Sequence, residues 1–207
     1  DSGFTVGADS DLSLTIDGTG AIISNTVQDT DITFKVNDGG TTTTVMTIDG
    51  AESRVGIGTT TPTAKLEVNG TIKATSLETS VTGNADLAEI YETDSAYDVG
   101  TVMIFGGEKE VTQSTISNDT RVAGVISEHP AYLMNNKSEG QAIALVGKVK
   151  CKVHGTISKG DLLTTCEEHP GSAKTTASPV LGSIVGKAME DKASDGESVI
   201  LISVGRL

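Results

Sequence analysis

The apolar residues in the first third of the chain recur at every second position, in short bursts that each end on a tight turn. Leu12, Leu14 and Ile16 run into Asp17-Gly18. Ile32, Phe34 and Val36 run into Asn37-Asp38-Gly39, and Val45-Met46-Thr47-Ile48 into Asp49-Gly50. Leu66 and Val68 close on Asn69-Gly70. A period of two places alternate side chains on opposite faces of a strand. Asp-Gly and Asn-Gly supply the positive backbone angles that a primed hairpin turn needs. Each burst therefore predicts a short strand with one apolar stripe and nothing in its own length to cover it. Repeats of this kind bury the stripe against neighbouring repeats or against other chains. An ordinary β-meander whose hairpins happen to look alike is the other reading.

Thr71–Gly83 is polar and poor in large apolar residues, and it predicts a neck, with the domain boundary near Gly83. One short helix is predicted at Asn84–Thr93, with Asn84 as its cap and Leu87, Ile90 and Tyr91 on one face. From Val99 on, the pattern is again that of strands, at Val99–Phe105, Glu108–Gln113, Arg121–Ser127, Gln141–Val153, Leu162–Thr165, Ser183–Met189 and Ser198–Val204. Many short strands with glycine turns predict a closed or nearly closed barrel. In Gln141–Val153, alternation puts Ile143, Leu145, Val149, Cys151 and Val153 on a core face, with Lys148, Lys150, Lys152 and His154 on the solvent face.

Composition sharpens this picture. Three Phe, three Tyr and no Trp in 207 residues are few for a single thick core, whereas 24 Gly suit turns and thin β layers. A formal charge of −13 argues against nucleic acid as a partner, because phosphate binding needs clustered Lys and Arg. No apolar run approaches the roughly 18–20 residues of a membrane-spanning helix, so membrane insertion is not expected. With Asp1 first, the sequence reads as a piece of a longer protein or a processed chain.

Two stretches carry a resemblance. RVGIGTTTPTAKLEVNG (Arg54–Gly70) resembles the shaft–tip junction of trimeric phage tail fibres and related bacterial surface adhesins. The runs DLAEIYETDSAYDVGTVMIFGGEKEV, RVAGVISEHPAYLMN and GKVKCKVHGTISKGDLL resemble the C-terminal tip domain of many phage and prophage tail fibres. They are distantly similar to the autoproteolytic C-terminal region of phage pre-neck appendage proteins. The resemblance implies an intertwined homotrimeric β shaft over residues 1–83 and a β-barrel-like tip over 84–207. It implies attachment to a cell-surface receptor such as a glycan, on a virion tail fibre or a bacterial surface. A self-processing assembly domain and a purely structural shaft spacer are the alternatives, and Asn135-Asn136 is the labile-looking loop that self-cleavage would use.

The candidate chemistry is sparse. The stripe Lys148, Lys150, Lys152 with His154 is a local positive face suited to anionic glycans, and Tyr132, in the loop EHPAYLMN, could stack on a sugar ring. The same residues also suit a plain solvated strand and a loop tyrosine packed on its own domain. Cys151-x-x-His154 and Cys166-x-x-His169 have the donors for zinc, but i and i+3 of a strand face opposite ways, so a buried, inert Cys151 and no metal is expected. A Cys151–Cys166 disulfide stays open, through a turn at Lys159–Asp161. Asp86 and Glu89 would share a helical turn, with Asp86 favouring the helix dipole and Glu89 solvated. Asp9, Asp11 and Asn37-Asp38 read as turn residues rather than calcium ligands. No nucleophile elbow of the G-x-S-x-G type occurs, so a hydrolase is not expected, and no cofactor is expected either.

Overall fold

The computed structural model describes residues 4–6, 11–76, 85–136 and 138–205. The chain divides into two compact units, Asp1–Leu77 and Glu78–Leu207. The expected cap Asn84, the boundary near Gly83 and Asp9 lie outside the described residues.

The first unit holds two small open sheets. β1 (Phe4–Val6), β2 (Leu12–Asp17) and β3 (Gly20–Asn25) form an antiparallel sheet in that order. β4 (Ile32–Asp38), β5 (Thr41–Asp49), β6 (Arg54–Ile57) and β7 (Leu66–Val68) form the second, with β6 and β7 parallel. All four apolar bursts of the sequence are strands, and three are closed by turns; β7 instead runs into a bend at Asn69-Gly70. The β4–β5 turn shows why: Gly39 and Gly40 both have positive φ, at 59° and 91°, and Asn37 Oδ1 accepts the Gly40 N–H at 2.8 Å. Asp49 works the same way, its Oδ1 accepting the Ala51 and Glu52 N–H groups. Among the described residues of this unit only Thr47, Gly56 and Pro62 are buried. Leu14, Ile16, Ile23, Val36 and Leu66 are exposed.

The second unit is all-β in its described residues. Its strands are β8 (Ala85–Tyr91), β9 (Val102–Phe105), β10 (Val111–Gln113), β11 (Val122–Ile126), β12 (Tyr132–Met134), β13 (Gln141–His154), β14 (Leu162–Thr165), β15 (Ala173–Thr175), β16 (Ile184–Ala188) and β17 (Glu197–Val204). Five of them close a barrel in the order β13-β15-β14-β16-β17 and back to β13. The 14-residue β13 organises the unit. Its first half pairs with β8 and β11, and its second half pairs with β17 and touches β15. Val149, Cys151, Val153, Leu163, Val185, Ile200 and Ile202 fill the barrel. A second cluster gathers Met103, Val111, Ala123, Ile126 and Ile143, with Tyr91 and Phe105 in edge-to-face contact at 5.8 Å.

Two expectations are corrected here. Residues 85–91 form the strand β8, not a helix. Leu87, Ile90 and Tyr91 fit a helical face, but so short a segment gains little from helical bonds alone. β13 offers it a full ladder, from Gln141↔Tyr91 to Lys148↔Ala85, and β12 adds a parallel partner on its other edge. The single core face expected for β13 is also split. The pairing with β8 shifts between Ala144 and Val146. Ile143 and Leu145 face the second cluster, while Ala144, Val149, Cys151 and Val153 face the barrel. Gly147, at φ 117°, follows this bulge, and a Cβ there would run into the Ala85 carbonyl.

A buried lysine braces one side of the barrel. Lys192 pairs with Ile157 in an isolated bridge. Its ammonium donates to the carbonyl oxygens of Gly155 (2.8 Å), Ser194 (2.6 Å) and Gly196 (2.6 Å). Three carbonyls match the three donors of an ammonium, which is what allows the charge to be buried.

Candidate functional site

β13 lines up four of the five sequence-predicted residues. With Val149, Cys151 and Val153 turned into the barrel, Lys148 and Lys150 are exposed and Lys152 and His154 half-buried on the outer face. Tyr132 lies elsewhere. It sits on β12 rather than in a loop, 54% exposed, and reaches β13 only across β8, through Leu87.

The stripe is not a uniform positive face. Lys152 is bonded to Asp98 at 3.2 Å. Lys150 lies in a cleft of about 580 Å³ lined by Val99, Glu128, Glu190, Val199, Ile200 and Leu201. The register builds this cleft: Lys150 stands opposite Leu201 and Lys152 opposite Val199 on β17. Val199 is 50% exposed. Glu190 Oε2 accepts the Leu201 N–H at 2.9 Å, which fixes that carboxylate at the cleft wall. One ammonium thus shares the cleft with two carboxylates and an aliphatic lining.

His154 ends the stripe in a different setting. Its ring stacks on His169, with centroids 3.8 Å apart and planes 18° from parallel. Nearby, Ser172 donates to Glu197 at 2.6 Å, and Glu197 is the cross-strand partner of His154. Cys166 donates to Glu168, whose carboxyl is drawn down to about 2, chiefly by its bond with Lys174. Cys151 and Cys166 are both buried free thiols, so the disulfide left open by the sequence is not formed. Burial pushes the Cys151 thiol far above the ordinary thiol range, and burial and Glu168 raise Cys166 as well. No group of three potential metal ligands occurs among the described residues.

The expected Asp86–Glu89 pair is taken apart by the strand. Glu89 is half-buried and accepts the Tyr91 hydroxyl at 2.9 Å, instead of being solvated. Asp86 is 2% exposed, and neither of its carboxylate oxygens nor the neighbouring Ser127 hydroxyl completes a hydrogen bond. Burial raises the Asp86 carboxyl above its usual range. Asp119 is the reverse case, a buried carboxyl lowered by bonds of 2.7 Å and 3.0 Å from Arg121. Asn135 sits in an ordered turn at φ 57°, with its amide bonded to Ile90 O and Ser138.

Sequence reasoning missed Glu128, Glu190, Val199 and Asp98. The outward phase of SVILISV was a signal for Val199 and Leu201. Nothing local marked Glu190, which comes to Lys150 only through the pairing of β16, β17 and β13. No known protein family matches this sequence, and no curated protein does.

Proposed function

We propose that this chain is the distal part of a homotrimeric attachment fibre. Residues 1–83 are an interwoven β shaft, and residues 84–207 a tip that binds a cell-surface glycan, on a phage tail or a bacterial surface. The observation that carries this reading is the state of the apolar stripe in the first unit. Ile16 is 65% exposed, Leu66 59% and Ile23 56%, and among the described residues no layer of the same unit covers them. Exposed apolar positions repeated at strand spacing are what a surface shared between copies looks like from one copy. The second unit has its own core, and its outer face carries the Lys150 cleft and Tyr132. A rigid β scaffold with polar groups set around a concavity suits recognition.

The test uses the full chain. Light scattering should give three times the chain mass, and a glycan array should show binding that is lost when residues 84–207 are removed. A stable monomer ends the fibre reading. Binding that survives loss of residues 84–207 moves the receptor site out of the tip.

A further inference from the structure

We propose that the cleft beside Lys150 is a sugar subsite that takes an uncharged hexopyranose and rejects acidic sugars. The inference rests on the glycan-attachment reading and names the chemistry of its ligand. A positive stripe read from the sequence suits an anionic ligand. The cleft reverses that choice. Of the three lysines, Lys152 is committed to Asp98 at 3.2 Å. Lys150 forms no ion pair among the described residues, yet it shares its cleft with Glu128 and Glu190. A carboxylate or sulfate entering there meets two like charges for one opposite charge.

A hexopyranose fits what remains. Its ring has an apolar C–H face and a rim of hydroxyls. Val99, Val199 and Leu201 offer an aliphatic surface for the first, and Val199 is already half-exposed as if waiting for cover. Glu190 is held through one oxygen by the Leu201 N–H, leaving its other oxygen to accept from a sugar hydroxyl. Lys150 supplies the complementary donor. A volume of about 580 Å³ is in the range of small-molecule sites and holds one or two sugar rings. Orientation comes from fixed groups, since Glu190 is bonded to β17 and Lys150 stands on a strand buried on its other face.

Saturation-transfer NMR and titration of the full chain with methyl α-mannopyranoside, methyl β-galactopyranoside and glucuronate test this. A neutral glycoside should bind, with transfer strongest at its C–H face, and glucuronate should bind at least about tenfold more weakly. Lys150→Ala and Val199→Asp should each weaken the neutral sugar about tenfold or more, with thermal melting reported alongside to show that the variant is folded. Glu128→Lys with Glu190→Lys should invert the preference toward glucuronate. Should glucuronate bind as tightly as the neutral sugars, with its affinity lost on Lys148→Glu and kept on Lys150→Ala, this inference falls while glycan attachment stands. If neither these sugars nor any glycan on an array binds, the attachment reading falls with it.

Discussion

The two units are written in the same residues and end in different states. Both are short alternating strands joined by glycine turns. In the second unit, Val149, Val153, Leu163 and Ile202 are fully buried, because a barrel wall curls back over its own apolar face. In the first unit, Leu14, Ile22 and Val36 stand on sheets that never close, and they stay exposed. Alternation specifies a strand and its two faces, but it does not say who covers the apolar one. Closure within the chain answers that for one unit. Association between copies answers it for the other in the proposed fibre.

The contrast breaks most visibly if the units are separated. Residues 85–205 alone should unfold cooperatively as a monomer, whereas residues 11–76 alone should show no cooperative transition at low concentration, followed by circular dichroism during heating. A cooperative monomeric melt of residues 11–76 would erase the distinction. Point changes sharpen it next. Ile202→Ala in the barrel should cost roughly 2–5 kcal/mol in denaturant unfolding. Leu14→Ala should leave the second unit's transition unchanged and shift only the concentration dependence of assembly.

Asp86 gives a smaller effect with a definite sign. Its folded-state carboxyl is raised above the unfolded value near 3.8. The protonated form therefore favours the fold below that value, and this contribution is lost as pH rises through the folded value. Asp86→Asn should stabilise the second unit by about 1 kcal/mol or more at neutral pH, an advantage that shrinks on acidification, read from melting curves between pH 4 and pH 8. An unchanged gap across that range would mean the carboxyl is not the titrating group. The smallest effect belongs to the outer face. Lys152→Ala removes the bond to Asp98, an exposed carboxylate, and should change stability by less than about 1 kcal/mol.

Legibility followed the same divide. In the first unit β2, β4, β5 and β7 were plain in the sequence because Asp-Gly and Asn-Gly endings act through local backbone geometry, whereas β1 and β3, which lack such endings, were not read from it. The barrel was legible as a class, but its closure through Val153↔Ala173 and the ladder between β13 and β17 is a long-range event with no local mark. Residues 85–91 misled because an apolar spacing of three and four is a helical pattern, and over so short a run pairing with β13 and β12 decided instead. The β13 bulge was hidden for a related reason: parity ties Ile143 to Val149 on paper, and the shift between Ala144 and Val146 breaks that tie in space. Of the candidate site, the lysine row was readable from alternation. Its counter-charges, Asp98, Glu128 and Glu190, come from distant segments, and they turn a cationic strip into a mixed cleft.

Lys192 carries a consequence for handling as well as for folding. The loop joining β16 to β17 is tied to Gly155 by a protonated amine and three carbonyls. Small β domains often draw such a tie from calcium or a disulfide, and those come undone in chelator or reductant. This one is built from the chain's own side chain, so EDTA and dithiothreitol should leave it shut. It also makes a clock. An amine-acylating reagent should mark the exposed Lys148 and Lys150 at once and Lys192 only as often as the loop swings open, so the lag on that single lysine reads the opening rate of this side of the barrel.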